Sequence, residues 1–284
     1  MNSNRYQYSQ NWPPLQFNQI SPAELIGEGF LFTEGPLWNR DQGYLLFSDI
    51  SGNTIYKWVL PDTLEILRRP SHNANGLAYD IYGGLLAAEH GARQVSRLGP
   101  GGRLEILADN YQGKKFHSPN DIAVRSDNTI YFTDPPYGLG RRPPELPFMG
   151  LYRVDPAGDL HLEGKYHQYP NGLAFSPDER TLYLALTEAD QVVAMDVADD
   201  GSTSNVRPFA RVPYPDGMAV DLAGNIYVAG EDGVAVLTPE GTQLGTILTQ
   251  RIPANCTFAG PEGRWLIITA RDHLYRVQVP IPGF

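Results

Sequence analysis

Short apolar runs alternate with clusters of Gly, Pro, Asp and Asn along almost the whole chain. The runs are rich in Val, Ile, Leu, Tyr and Phe, and none extends into an i, i+3, i+4, i+7 stripe. That pattern predicts strands and tight turns rather than helices. The strand candidates fall into groups. The first holds 45–49, 54–58 and 64–67, and the second 85–88, 94–98 and 104–107. The third holds 129–133, 150–154 and 160–162, and the fourth 181–185, 191–195 and 206–209. The fifth holds 225–228, 233–237 and 243–247, and the last only 265–268 and 273–277. Turn signals such as Pro100-Gly101-Gly102, Pro156-Ala157-Gly158 and Pro239-Glu240-Gly241 lie between strand candidates.

A motif precedes each group. Its clearest copy is Pro215-Asp216-Gly217-Met218-Ala219-Val220-Asp221. Earlier copies are Asn75-Gly76-Leu77-Ala78, Pro119-Asn120-Asp121-Ile122-Ala123 and Pro170-Asn171-Gly172-Leu173-Ala174. Asn255-Cys256-Thr257 is a degraded copy, and Glu34-Gly35-Pro36 stands at the first position. Glu34, Asn75, Asn120, Asn171, Asp216 and Asn255 are spaced by 41, 45, 51, 45 and 39 residues. Periods of this length with four strands each read as propeller blades.

The expected fold is all-β: a six-bladed β-propeller of four-stranded blades. The last blade lacks an outer strand, and Ala23-Glu24-Leu25-Ile26 can supply one. Residues from about 19 to 30 are therefore expected to close the ring against the C-terminal blade, because closure removes exposed strand edges. Residues 1–18 read as an N-terminal arm packed by Tyr6, Tyr8 and Trp12, and residues 19–284 as one propeller domain. The longest period contains a Pro-rich insertion, 134–148, which reads either as a lid or as a surface excursion.

In such a ring the innermost strands all start at one end of the central channel. The six motif positions then form a circle of two carboxylates, Glu34 and Asp216, and four amides, with no Lys or Arg at these positions. Two buried carboxylates without cationic partners resist ionising, and a divalent cation resolves the conflict. An all-oxygen donor set selects a hard ion, Ca²⁺ first, with Mg²⁺ or Mn²⁺ as alternatives. Turn chemistry explains any one Asn-Gly copy without a ligand. It does not explain Glu34 in the first copy, or Asn120 followed by Asp121.

Charge and composition narrow the partners. A net charge of −10 argues against nucleic acid or an anionic membrane. A single cysteine, Cys256, excludes an intrachain disulfide and a cysteine zinc site. No apolar run reaches the length of a membrane helix, and the start shows no signal-peptide pattern, so a cytoplasmic location is expected, with the periplasm as the alternative. The sequon at Asn255 is discounted, because that Asn is a ring position.

Phe32-Thr33-Glu34-Gly35-Pro36-Leu37-Trp38, Ser118-Pro119-Asn120-Asp121, Pro170-Asn171-Gly172-Leu173-Ala174-Phe175-Ser176 and Pro215-Asp216-Gly217-Met218-Ala219-Val220-Asp221 together resemble the gluconolactonase/regucalcin (senescence-marker-protein) family. The resemblance covers residues 30–279. It implies a six-bladed propeller with one catalytic divalent ion. Zn²⁺ is a further candidate beside the ions named above. By resemblance Glu34, Asn171 and Asp216 are ligands, and Asn120 is a ligand or a substrate contact beside the ion. Animal members carry Arg two residues before the Asn that matches Asn120. This chain has Ser118 there, so their sugar-acid specificity does not carry over. Glu89-His90-Gly91 and Asp134-Pro135-Pro136-Tyr137-Gly138 are similar to stretches of the bacterial lactonase branch.

The resulting expectation is an ion-dependent lactonase, monomer or homodimer, acting on a small lactone at the channel mouth. Asp216 is the general base. Asn120, Asn75, Asn255, His117 and His90 are candidate substrate contacts, His90 having a structural reading as well. Asp121 is expected to orient Asn120 or hold a loop. Two other readings share the ring: a phosphotriesterase in which Asp216 attacks phosphorus, and a binding propeller without catalysis.

Overall fold

Each run of four strands forms one antiparallel sheet whose strand order follows the chain. The computed structural model describes residues 12–283 apart from 60 and 62. Blade one consists of Thr33–Asn39, Tyr44–Asp49, Thr54–Val59 and Thr63–Arg68; blade two follows with Ala74–Tyr79, Leu85–Glu89, Gln94–Leu98 and Leu104–Ala108. Blades three, four and five begin at Ile122–Val124, Pro170–Phe175 and Met218–Val220. Blade six takes three strands from the C-terminal end, Asn255–Ala259, Trp265–Ala270 and His273–Gln278, and its fourth from Glu24–Glu28. The six innermost strands contact one another in a closed circle. The chain is a six-bladed β-propeller, as the repeat predicts.

The N-terminal strand pairs antiparallel with the last one, Glu24 opposite Arg276, and an Arg276 Nη2–Glu24 Oε2 ion pair of 2.6 Å joins the two ends of the chain. This strand covers the edge that the last blade would otherwise expose. Ahead of it, Trp12, Leu15 and Phe17 pack on the core between blades five and six. Tyr6 and Tyr8, also expected in the arm, lie outside the described residues.

The near-continuous apolar runs follow from burial on both faces. Side chains alternate across a strand. Leu45 and Phe47 accordingly point into the core shared with blade six, while Leu46 points into the core shared with blade two. Ile130 and Phe132 likewise face blade two, and Tyr131 faces blade four. Burying one such side chain contributes about 1.5–3 kcal/mol, so the ring is held by six inter-blade cores rather than one centre.

The motif glycine has a packing reason. At Gly172 an added Cβ would collide with the Asp216 carbonyl oxygen, because neighbouring inner strands nearly touch around the channel. Hydroxyls on the second strands tie blade to blade. Ser48 Oγ donates to Asn75 O at 2.7 Å and Thr133 Oγ1 to Asn171 O at 2.8 Å. One element was not expected, a small hairpin of Asn110–Tyr111 with Lys114–Lys115 between blades two and three.

The insertion between Ile130–Asp134 and Met149–Val154 is riveted down. The Arg142 guanidinium donates to the carbonyls of Gly91 (2.7 Å), His90 (2.9 Å), Gly138 (2.6 Å) and Leu139 (3.1 Å). Gly138 packs so tightly on the His90 ring that no side chain fits there. The segment is thus a fixed wall beside the channel mouth.

Candidate active site

One cavity of about 440 Å³ opens at the end of the channel where the inner strands start. Glu34, Asn75, Asn120, Asn171, Asp216 and His90 all line it. Five of the six ring positions therefore meet in one place. The local geometry that brings them there is shared by three blades. Pairing slips between Glu34 and Leu37, between Ala74 and Leu77, and between Pro170 and Leu173. Each slip falls at the motif, and an irregularity of this kind re-aims the side chain it carries. Asn120 and Asp216 sit just before their inner strands, with their amides bound to Thr133 O and Ala229 O, both at 2.8 Å.

Asn255 does not join them. Blade six pairs in regular register from Asn255 onward, without the slip. Its side chain lies beside Gly217 and lines the channel below the mouth, with Asp121 and Cys256. There it caps the Cys256 amide at 2.8 Å and bonds to the Glu34 and Asp121 carboxyls, so it braces them from underneath. His117 is also absent from the cavity wall. Asp134 accepts from the amides of His117 and Ser118 at 2.8 Å each, and His117 Nε2 bonds to Leu146 O at 3.1 Å, which turns the ring toward the insertion. Asp121 accepts from the amides of Ile122 and Leu173, so it fastens blade three to blade four beneath the ring.

Electrostatics set the ring apart. Burial raises the Glu34 carboxyl well above the usual range, and the charge of Asp216 raises it further. Burial likewise lifts Asp216 to about 7, with Asp121 adding to it and Arg271 opposing. Burial and the nearby Arg142 push His90 down to about 4, so its imidazole is neutral.

Among the described residues no cluster of three or more His, Cys, Asp or Glu side chains could hold a divalent cation. The ring offers two carboxylates, and amide oxygens would have to complete a shell. Glu34 commits Oε2 to the Gly35 amide (2.9 Å). Asn171 commits Nδ2 to Thr187 Oγ1 (3.1 Å) and Tyr137 OH (3.4 Å), leaving Oδ1 uncommitted. Asn75 Nδ2 donates to Asn120 Oδ1 at 2.5 Å and lies 3.3 Å from His90 Nε2, while Asn75 Oδ1 is buried without a partner. Asn120 Oδ1 accepts that single bond and keeps a second lone pair, and Asn75 Oδ1 keeps both of its own. The donor set, two carboxylates with uncommitted amide oxygens, fits a hard oxygen-seeking ion.

Sequence reasoning missed several wall residues. Tyr137 comes from the insertion, Thr187 from the turn after the second strand of blade four, and Phe32, Tyr214, Glu231, Ile252 and Arg271 from loops at the rim. The Thr187 hydroxyl also donates to Pro215 O at 2.8 Å, which steadies the approach to Asp216. Loop residues outside the repeat carry no periodic signal; the length of the insertion and the stretch Asp134-Pro135-Pro136-Tyr137-Gly138 marked Tyr137.

The model of the SMP-30/gluconolactonase/LRE-like region matches residues 32–272. The chain is 31% identical to a gluconolactonase of Zymomonas mobilis subsp. mobilis, covering 93% of this chain and 83% of the relative. It is 30% identical to the lactonase drp35 of Staphylococcus aureus, over 82% and 75% of the two chains. The solved gluconolactonase of Xanthomonas campestris superposes with a TM-score of 0.85 at 35% identity, over 91% of this chain and 89% of that one.

Proposed function

The chain belongs to the SMP-30/gluconolactonase/LRE-like family, and from that membership we propose that it hydrolyses small lactones in the cavity at the channel mouth, with one divalent cation held by Glu34, Asn120, Asn171 and Asp216. The observation that carries the reading is the pair of raised, buried carboxyls surrounded by amides in a single cavity. Relatives described as gluconolactonase and lactonase supply the substrate class.

When bound, the ion supplies Lewis acidity to the lactone carbonyl and offsets negative charge developing on its oxygen. The chain's own residues do the rest. Asp216 accepts the proton of the attacking water, its carboxylate having one oxygen for the ion and a second for the proton. Water adds to the acyl carbon, the ring ester bond breaks, and the proton passes to the leaving alkoxide, giving a hydroxy acid. Asn120 and Asn75 orient the lactone, and neutral His90 fixes the Asn75 amide. Tyr137 and Thr187 hold Asn171 in place.

Ca²⁺ is the first choice by donor chemistry, ahead of Mg²⁺, Mn²⁺ and Zn²⁺. A panel of aldonolactones and acyl lactones beside an organophosphate panel, each with added divalent ions, tests the reading. Turnover of lactones supports it. Turnover of phosphotriesters alone, or of nothing, overturns it.

A further inference from the structure

Arg271 is the one cationic residue among those lining the cavity. It sits in the turn between the second and third strands of blade six, with φ of 55°. Its own carbonyl accepts from the Thr33 amide at 2.6 Å, which fixes the turn against the start of blade one. The guanidinium lies over the Phe32 ring, 4.8 Å from its centroid, and Phe32 lines the cavity. Phe32 is held in turn by Asp49, whose carboxylate accepts from its amide at 3.0 Å.

The acids near this turn are committed elsewhere. Asp272 pairs with Arg251 Nε at 3.0 Å and with His273 Nδ1 at 2.9 Å. Among the described residues no carboxylate stands within ion-pair distance of Arg271, yet its charge is felt by Asp216 at the cavity floor. A guanidinium stacked on an aromatic face keeps its edge free for a planar, bidentate partner.

We infer that Arg271 is a specificity-determining residue that binds an anionic group of the lactone, a carboxylate or a phosphate, at the end of the molecule away from the scissile ester. The inference rests on the lactone-hydrolysis reading and narrows its substrate class.

The test compares kcat/KM of the wild type, R271K and R271Q on three lactones. D-glucono-1,5-lactone is neutral, D-glucaro-1,4-lactone carries a carboxylate, and 6-phospho-D-glucono-1,5-lactone carries a phosphate. Losing a charge-assisted contact costs about tenfold to a hundredfold. The ratio of one anionic lactone to the neutral one is expected to fall by that factor in R271Q, chiefly through KM. R271K, which keeps the charge without the fork, should fall in between. The favoured lactone identifies the anion. An unchanged ratio in R271Q, or a wild type with no preference for either anionic lactone, overturns the inference. A calorimetric arm with D-glucarate and D-gluconate separates this from failure of the hydrolase reading. If no lactone is turned over, tighter glucarate binding that is lost in R271Q still supports the Arg271 site, and equal binding of the two acids rejects it.

Discussion

Glu34 of blade one and Asp216 of blade five raise the pKa problem of the cavity together: burial lifts both carboxyls, and the Asp216 charge lifts Glu34 further. Among the described residues neither has an ion-pair partner, and Asn255 supports Glu34 only by a hydrogen bond from below. Two acids so placed are poised to lose their protons when a cation arrives.

Removing the base should separate catalysis from folding. Asp216→Asn keeps the shape but cannot accept a proton, and general-base loss costs about 10²–10⁴ in rate. We expect turnover to fall by at least that lower factor while the circular-dichroism spectrum and unfolding cooperativity are retained. Near wild-type turnover in this variant would remove Asp216 from the mechanism.

Ion binding should be linked to pH. Both carboxyls have raised folded-state pKa values, so without an ion their contribution to stability is complete below about pH 4, the ordinary carboxylate range. It is lost as pH rises through about 7, the folded value of Asp216. An ion favours the ionised pair and cancels that loss. The rise in Tm on adding Ca²⁺ should therefore be larger near pH 8 than near pH 5. His90 carries the opposite sign: with its pKa lowered to about 4, its contribution is present above about 6.5 and is lost as pH falls. Comparing Tm with and without Ca²⁺ at each pH largely cancels the His90 effect. Equal Ca²⁺ shifts at both pH values would contradict the linkage.

His90 is expected to act through Asn75 rather than on substrate. Nε2 lies 3.3 Å from the Asn75 amide, which meets Asn120 at 2.5 Å. His90→Ala should weaken Ca²⁺ affinity by about tenfold, in the range seen when groups that orient metal ligands are lost. His90→Gln, whose side-chain oxygen can still accept from Asn75, should recover part of that affinity. If both variants bind Ca²⁺ like the wild type, the Asn75–Asn120 pair does not depend on His90.

Much of this was legible in the sequence because the repeat is physical. Asn75-Gly76, Asn171-Gly172 and Asp216-Gly217 recur since in these three blades the inner strand approaches its neighbour closely and presents one polar side chain to the cavity. The closing strand was legible from the missing fourth strand of blade six, and 24–28 fills that place. Asn255 lies outside the cavity because a repeat position predicts location along the chain, whereas the side-chain direction depends on a slip in pairing that blade six lacks. His117 lies outside the cavity wall because its neighbourhood is set by the insertion, whose path no period describes. Arg271 and Tyr137 reach the cavity from loops for the same reason.

The insertion should behave as a wall. Arg142 donates to four backbone carbonyls, and a hydrogen bond from a charged group contributes about 1.5–3 kcal/mol. Arg142→Ala is expected to lower Tm by several degrees and to raise KM as Tyr137 loses its fixed position. Hydrogen exchange should show faster exchange of amides in 135–148. Unchanged KM together with faster exchange would mean that Tyr137 does not shape substrate binding.

The most direct test of the central claim is the rate of lactone hydrolysis, above the uncatalysed background, by exhaustively chelated protein titrated with Ca²⁺. The account predicts no turnover at the start and saturable recovery at one ion per chain. Full turnover by the chelated protein would contradict it.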